Sequence, residues 1–171
     1  MQSNKFRVLV IGLGNPTLGD DGVGWCIAQE VKRQLSPDLP VDVNCLSLGG
    51  ISLMEHLIGY SHAILIDAFA LEEPIGSILI LKLSDLPNYS AFHTASLHNT
   101  SLQAAIEMGK SLGALLPDDV SVVGIATRRA YEFGKSSSPP VTEAIPQAVN
   151  FVMDLLYEKV RTYNKISHLQ E

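Results

Sequence analysis

The segment FRVLVIGL, Phe6 to Leu13, constrains the fold more than any other part of the chain. It is short, almost wholly apolar, and runs straight into a glycine-rich stretch. A continuous apolar run of that length fits a strand buried on both faces, as in a parallel sheet. Ala63–Ala68 (AILIDA) and Val120–Ala126 have the same character. A sheet buried on both faces needs a layer of helices on each side. The first of these helices is written into Val23, Ile27, Val31 and Leu35, spaced every four residues and closed by Pro37 and Pro40.

The remaining elements follow in order. Val41–Leu46 reads as a second strand, followed by Gly49-Gly50 and a short helix from Leu53 to Ile58. The strand Ser77–Leu83 comes only about eight residues after AILIDA, whereas a parallel crossover needs a dozen or more, so it is expected to run antiparallel. Ser84–Asn99 has no period, and loops of that length are usually functional or disordered. Leu102, Ile106, Gly109, Leu112 and Leu116 mark one helix face. Lys135–Pro140 reads as a loop, and Ile145, Val149, Val152, Leu156 and Val160 mark the last helix. Pro146 fits that helix only in its first turn or at a kink. The pattern predicts β-α-β-α-β-β-α-β-α: a three-layer α-β-α sandwich around a five-stranded, mixed but mostly parallel twisted sheet. It predicts a single domain over 1–171, with a polar tail, 162–171, that frays. Ligands of such folds bind beyond the carboxyl ends of the strands.

Composition supports one core and excludes some partners. With 171 residues and 46% apolar side chains, the chain needs no disulfide to hold a core together. Cys26 and Cys45 are its two cysteines; neither belongs to a C-x-x-C, and both are expected to be buried, reduced thiols. A net charge of −6 disfavours nucleic acid. The N-terminus shows no signal peptide and no apolar run near the roughly 18 residues of a membrane span, so a cytoplasmic location is expected. Each helix carries a single apolar stripe, which fits a monomer.

Chemistry concentrates where the strands end. After the first strand comes G-L-G-N-P-T-L-G-D-D-G-V-G, Gly12 to Gly24. A dinucleotide fingerprint needs a third glycine where Thr17 stands, so nucleotide binding is disfavoured. Asp20 and Asp21 stand where the first helix must begin. One acid is enough to cap a helix, which leaves a second carboxylate to face the crevice. Asp67 ends the strand AILID, where a carboxylate has no packing role and unpaired burial would be costly. His98 lies in S-L-H-N, just before the helix expected near Thr100, with His93 as an alternative. Two carboxylates and an imidazole make a three-ligand set with open positions on a divalent ion, which could polarise a carbonyl or activate water. Lacking a thiolate, the set should bind its metal modestly, so the metal could arrive with the substrate.

The motifs V-L-V-I-G-L-G-N-x-x-L-G-D-D-G-V-G, L-I-D-A and S-L-H-N, in that order, closely resemble those of the endopeptidases that mature nickel-iron hydrogenases. The resemblance runs from Val8 to about Val160. It implies a twisted sheet between helices, of the phosphorylase/hydrolase-like type. It also implies removal of a C-terminal extension from the hydrogenase large-subunit precursor after nickel insertion. By position it assigns metal contact and catalysis to Asp21, Asp67 and His98, favours His98 over His93, and leaves Asp20 as the helix cap. The resemblance further implies that the nickel is supplied by the substrate, and another divalent ion could occupy the site in vitro. The chain departs from some relatives in having Asp21 where they have Glu. It also has Leu48 where others have an acid before the double glycine, which leaves the substrate role of Gly49-Gly50 open. Arg128-Arg129 is read as solvated surface in preference to a partner for a substrate carboxylate. Trp25 is read as ordinary packing or a partner patch.

Two rivals share parts of this pattern. Peptidyl-tRNA hydrolase also opens with a strand and G-L-G-N-P, but it needs a histidine soon afterwards and a basic face, where this chain has Asp20-Asp21 and an acidic balance. A non-enzymatic nucleotide-binding module would use the same crevice and be indifferent to Asp67. A metallohydrolase acting on an unrelated substrate is a third possibility, because site chemistry does not name the substrate.

Overall fold

The computed structural model describes residues 6–86, 101–128, 133, 134 and 136–167, the last two by backbone alone. Five strands form one sheet: β1 (Val8–Leu13), β2 (Val41–Leu46), β3 (His62–Ala70), β4 (Ile78–Lys82) and β5 (Asp119–Thr127). Four α-helices accompany them: α1 (Val23–Gln34), α2 (Gly50–His56), α3 (Leu102–Ser111) and α4 (Pro139–Ser167). The strand order is β2-β1-β3-β5-β4. All neighbours are parallel except β4 and β5, which are antiparallel as the short connection required.

Strand alternation sorts the core into two halves. Val8, Val10, Ile64, Ile66, Val123 and Ile125 face α1 and α4, packing with Ile27, Val31, Val149 and Val152. Leu9, Ile11, Leu13, Leu65 and Val122 face α2 and α3, packing with Leu53, Leu57, Leu102 and Ala105. Nothing polar interrupts β1, and the buried run of β3 from Ala63 to Phe69 is apolar apart from Asp67, because neither face of these strands meets water.

Several local expectations are corrected. α4 starts at Pro139, not after Pro140, because proline is well suited to a helix's first turn, where its missing N–H would have no partner. Pro146 then sits well inside α4. The helix continues past it because Val141, Ala148, Val149, Val152 and Leu156 bury one stripe, and this burial offsets the roughly 3 kcal/mol that an interior proline costs. The polar stretch from 162 does not fray at once. It stays helical to Ser167, where Tyr163 stacks on Phe6 at 4.2 Å between ring centroids; residues 168–171 lie outside the described set. Leu112 caps α3 and is 80% exposed instead of extending its apolar face. Both cysteines are free, but Cys26 is exposed and only Cys45 is partly buried, which pushes its thiol pKa up. Cys26 falls on α1 one position away from the buried stripe of Val23, Ile27 and Val31. Among the described residues, no helix is long and apolar enough to cross a membrane.

Candidate active site

The sheet reverses its winding at β1. From β1 the chain moves outward to β2, then crosses to β3 on the other side. The crevice of such a fold opens between these two strands, at their carboxyl ends. The β1–β3 ladder ends at the pair Gly12–Ile66, while β3 runs on beside β5 through Asp67 to Ala70. Asp67 therefore stands at the level where β1 turns away, on the same face as Leu65 and Phe69. It is fully buried, and its Oδ1 accepts the Ala68 N–H at 2.8 Å.

The chain leaving β1 forms a tight loop and then a single 3₁₀ turn, Gly19–Gly22. Asn15 organises this loop. Its side-chain oxygen accepts from Thr17 N (3.0 Å) and Thr17 Oγ1 (2.7 Å), and its backbone N–H donates to Asp21 Oδ2 at 2.8 Å. Asp21 is thereby turned inward, with 4% of its surface exposed. Sequence reasoning treated Asn15 as part of a loop only. The Asn-Pro dipeptide was the available signal, since asparagine readily bonds the backbone two residues on.

Two glycines let α1 approach the sheet closely. A Cβ on Gly24 would lie 2.3 Å from the Leu13 carbonyl oxygen and 2.4 Å from that of Ile66. A Cβ on Gly12 would lie 2.3 Å from the Gly24 carbonyl oxygen. The first turn of α1 thus rests directly on β1 at Leu13 and on β3 at Ile66, and the 3₁₀ turn that carries Asp21 lies beside β3. These glycines serve close helix–strand packing, not the cradling of a phosphate.

Asp20 takes a different path from the one expected. It does not cap α1, which has Gly22 at that position and no side-chain cap. Its carboxylate instead accepts from Ser138 N (2.5 Å) and Ser138 Oγ (2.9 Å), immediately before α4. The positive end of the α4 dipole favours that charge. Asp20→Ala is expected to lower stability by about 1–2 kcal/mol in urea unfolding, with Asp20→Asn recovering about half. A loss below about 0.3 kcal/mol in the alanine variant would remove this cap from the account.

The other sequence-predicted residues divide as follows. Gly49 is the N-cap of α2 and Gly50 begins it with φ +54°, so the double glycine starts a helix. Trp25 is half-buried and donates from Nε1 to the Leu46 carbonyl at 3.2 Å, tying α1 to the end of β2. Arg128 is exposed at the end of β5. His98, His93 and Arg129 lie outside the described residues. Asp21 and Asp67 are the two members of the expected set that lie among the described residues, both buried, Asp21 in the 3₁₀ turn before α1 and Asp67 in β3. Among the described residues, no three His, Cys, Asp or Glu side chains gather to hold a metal. A space of about 440 Å³ opens at the opposite, amino edge, between Phe6, Tyr60, His62, Lys159 and Tyr163. There, burial and the Lys159 ammonium hold the His62 imidazole below its usual value, and the hydrogen bond from Lys159 holds Asp119 low.

Residues 25–155 match the family model described as hydrogenase maturation protease. The hydrogenase expression/formation protein HupD of Bradyrhizobium diazoefficiens is 26% identical over 158 residues, covering 91% of this chain and 81% of that protein. A span of that length necessarily includes positions 21, 67 and 98. The hydrogenase maturating endopeptidase HybD from E. coli superposes with a TM-score of 0.71 at 25% identity, covering 90% of this chain and 94% of that one. A hydrogenase 2 maturation peptidase from Thaumarchaeota archaeon SCGC_AB-539-E09 is 30% identical with a TM-score of 0.64, covering 88% and 97%.

Proposed function

The chain belongs to the hydrogenase maturation protease family, and on that premise we propose that it removes the C-terminal extension from a nickel-iron hydrogenase large-subunit precursor once nickel is in place. The observation that carries this reading is the pair of buried carboxylates, Asp21 and Asp67, set by separate elements at the switch point of the sheet. Carboxylates kept so far from water favour a cation as their counterpart. Two hard oxygen donors and the imidazole of His98 suit a borderline divalent ion such as the nickel of the substrate.

In this reading the metal bridges protease and precursor, so cleavage is conditional on nickel insertion. The carboxylates hold the ion or activate the attacking water, the two roles open to such groups beside a metal. The protein acts as a monomer in the cytoplasm, where precursor and protease meet before assembly.

The test is a comparison of nickel-loaded and nickel-free precursor, each incubated with the protein and followed by intact mass. The loaded precursor is expected to shorten and the nickel-free one to stay whole, with His98→Ala slowing the first reaction by about 10²-fold. Equal cutting of both would exclude metal recognition. An intact precursor despite verified nickel loading would exclude the activity on that partner.

A further inference from the structure

Phe133 is 82% exposed, the most exposed large apolar side chain among the described residues. Leu112 is nearly as exposed at the other edge, and isolated apolar residues on a surface are ordinary. What distinguishes Phe133 is how its backbone is held. Gly134, in a turn with φ +73°, donates its N–H to the Thr17 carbonyl at 3.0 Å. Ser137 Oγ donates to the Gly19 carbonyl at 3.3 Å, and Ser138 is gripped by the Asp20 carboxylate. The residues leading into α4 are thus fastened at both ends to the loop that carries Asp21, and Phe133 projects from the nearer fastening.

We propose that Phe133 is a substrate-contact residue, its ring packing against an apolar side chain of the extended precursor segment beside the bond that is cut. This rests on the protease reading above. The occupant follows from the surroundings. Asp20 and Asp21 at the base of this loop repel a polyanion, which disfavours nucleic acid or a phosphorylated segment. Ile51 in the first turn of α2 and Leu71 just after β3, 43% and 40% exposed, add apolar surface at the same carboxyl edge of the sheet. An aromatic side chain on a fastened backbone has few rotamers to lose, so it gives large contact area at low entropic cost.

The experiment measures processing of nickel-loaded precursor at varied concentration by wild type, Phe133→Ala and Phe133→Leu. The alanine variant is expected to raise KM about tenfold or more, with kcat within twofold and the melting temperature unchanged, because the ring buries little in the free protein. Leucine should recover part of the loss. In parallel, a photoreactive benzoylphenylalanine placed at 133 is expected to crosslink to the C-terminal segment of the precursor. An unchanged KM in the alanine variant, or crosslinks confined to other parts of the precursor, would overturn the assignment. If wild type leaves the precursor whole, the protease reading fails separately. The crosslink then decides this contact alone: adduct at the C-terminal segment supports it, and none sinks it.

Discussion

Replacing Asp67 with asparagine is expected to slow processing of nickel-loaded precursor by about 10²-fold or more while leaving the protein as stable as wild type, or slightly more so. Asparagine keeps the shape of the side chain and its ability to accept the Ala68 N–H. It removes a charge that burial makes expensive, since β3 shields Asp67 fully from water. A residue kept for stability would lose activity and stability together; one kept for a cation loses activity alone. Following precursor mass alongside urea unfolding of the same samples separates the two. An Asp67→Asn variant that cuts at the wild-type rate would take Asp67 out of the site.

The largest structural effect is expected from Gly24→Ala. The new methyl group would need space already occupied by the Leu13 and Ile66 carbonyl oxygens, and neither is the tip of a flexible side chain. The first turn of α1 would have to lift from the strand ends, costing about 3 kcal/mol. For a chain of this size, that is a drop in melting temperature of about 10 °C. Processing should fall as well, because lifting α1 displaces the turn that carries Asp21. Gln29→Ala, on the outward face of the same helix, should leave both properties unchanged. Gly24→Ala melting within a degree or two of wild type would mean that the glycine contact does not set the position of the helix.

These two substitutions also show what could be read before folding was considered. The apolar runs around Val10, Ile64 and Val123 required a sheet covered on both faces. The short link from Ala70 to Ile78 required an antiparallel β4. Both are local consequences of hydrophobic burial and chain length, and the sheet has that form. Asp67 stands out in the sequence for the same reason: a carboxylate within an otherwise apolar strand has to be explained by something other than packing. The order of the motifs was enough to place the chain in its family.

Other features depend on contacts between distant segments, which periodicity does not carry. Two adjacent aspartates gave no indication that Asp20 would reach Ser138, more than a hundred residues away. The exposure of Cys26 depended on which positions of α1 the sheet and α4 would cover. Pro146 could remain inside α4 because burial on one face outweighs a missing hydrogen bond, a balance that propensity alone does not supply. The layers and the strand directions could be read from the sequence alone, because these follow from burial and connectivity along the chain. The helix that Asp20 caps was settled by the tertiary structure: α4 in place of α1. That choice was made where Gly12 and Gly24 let α1 settle on the strand ends and the start of α4 offered its unsatisfied N–H groups to Asp20.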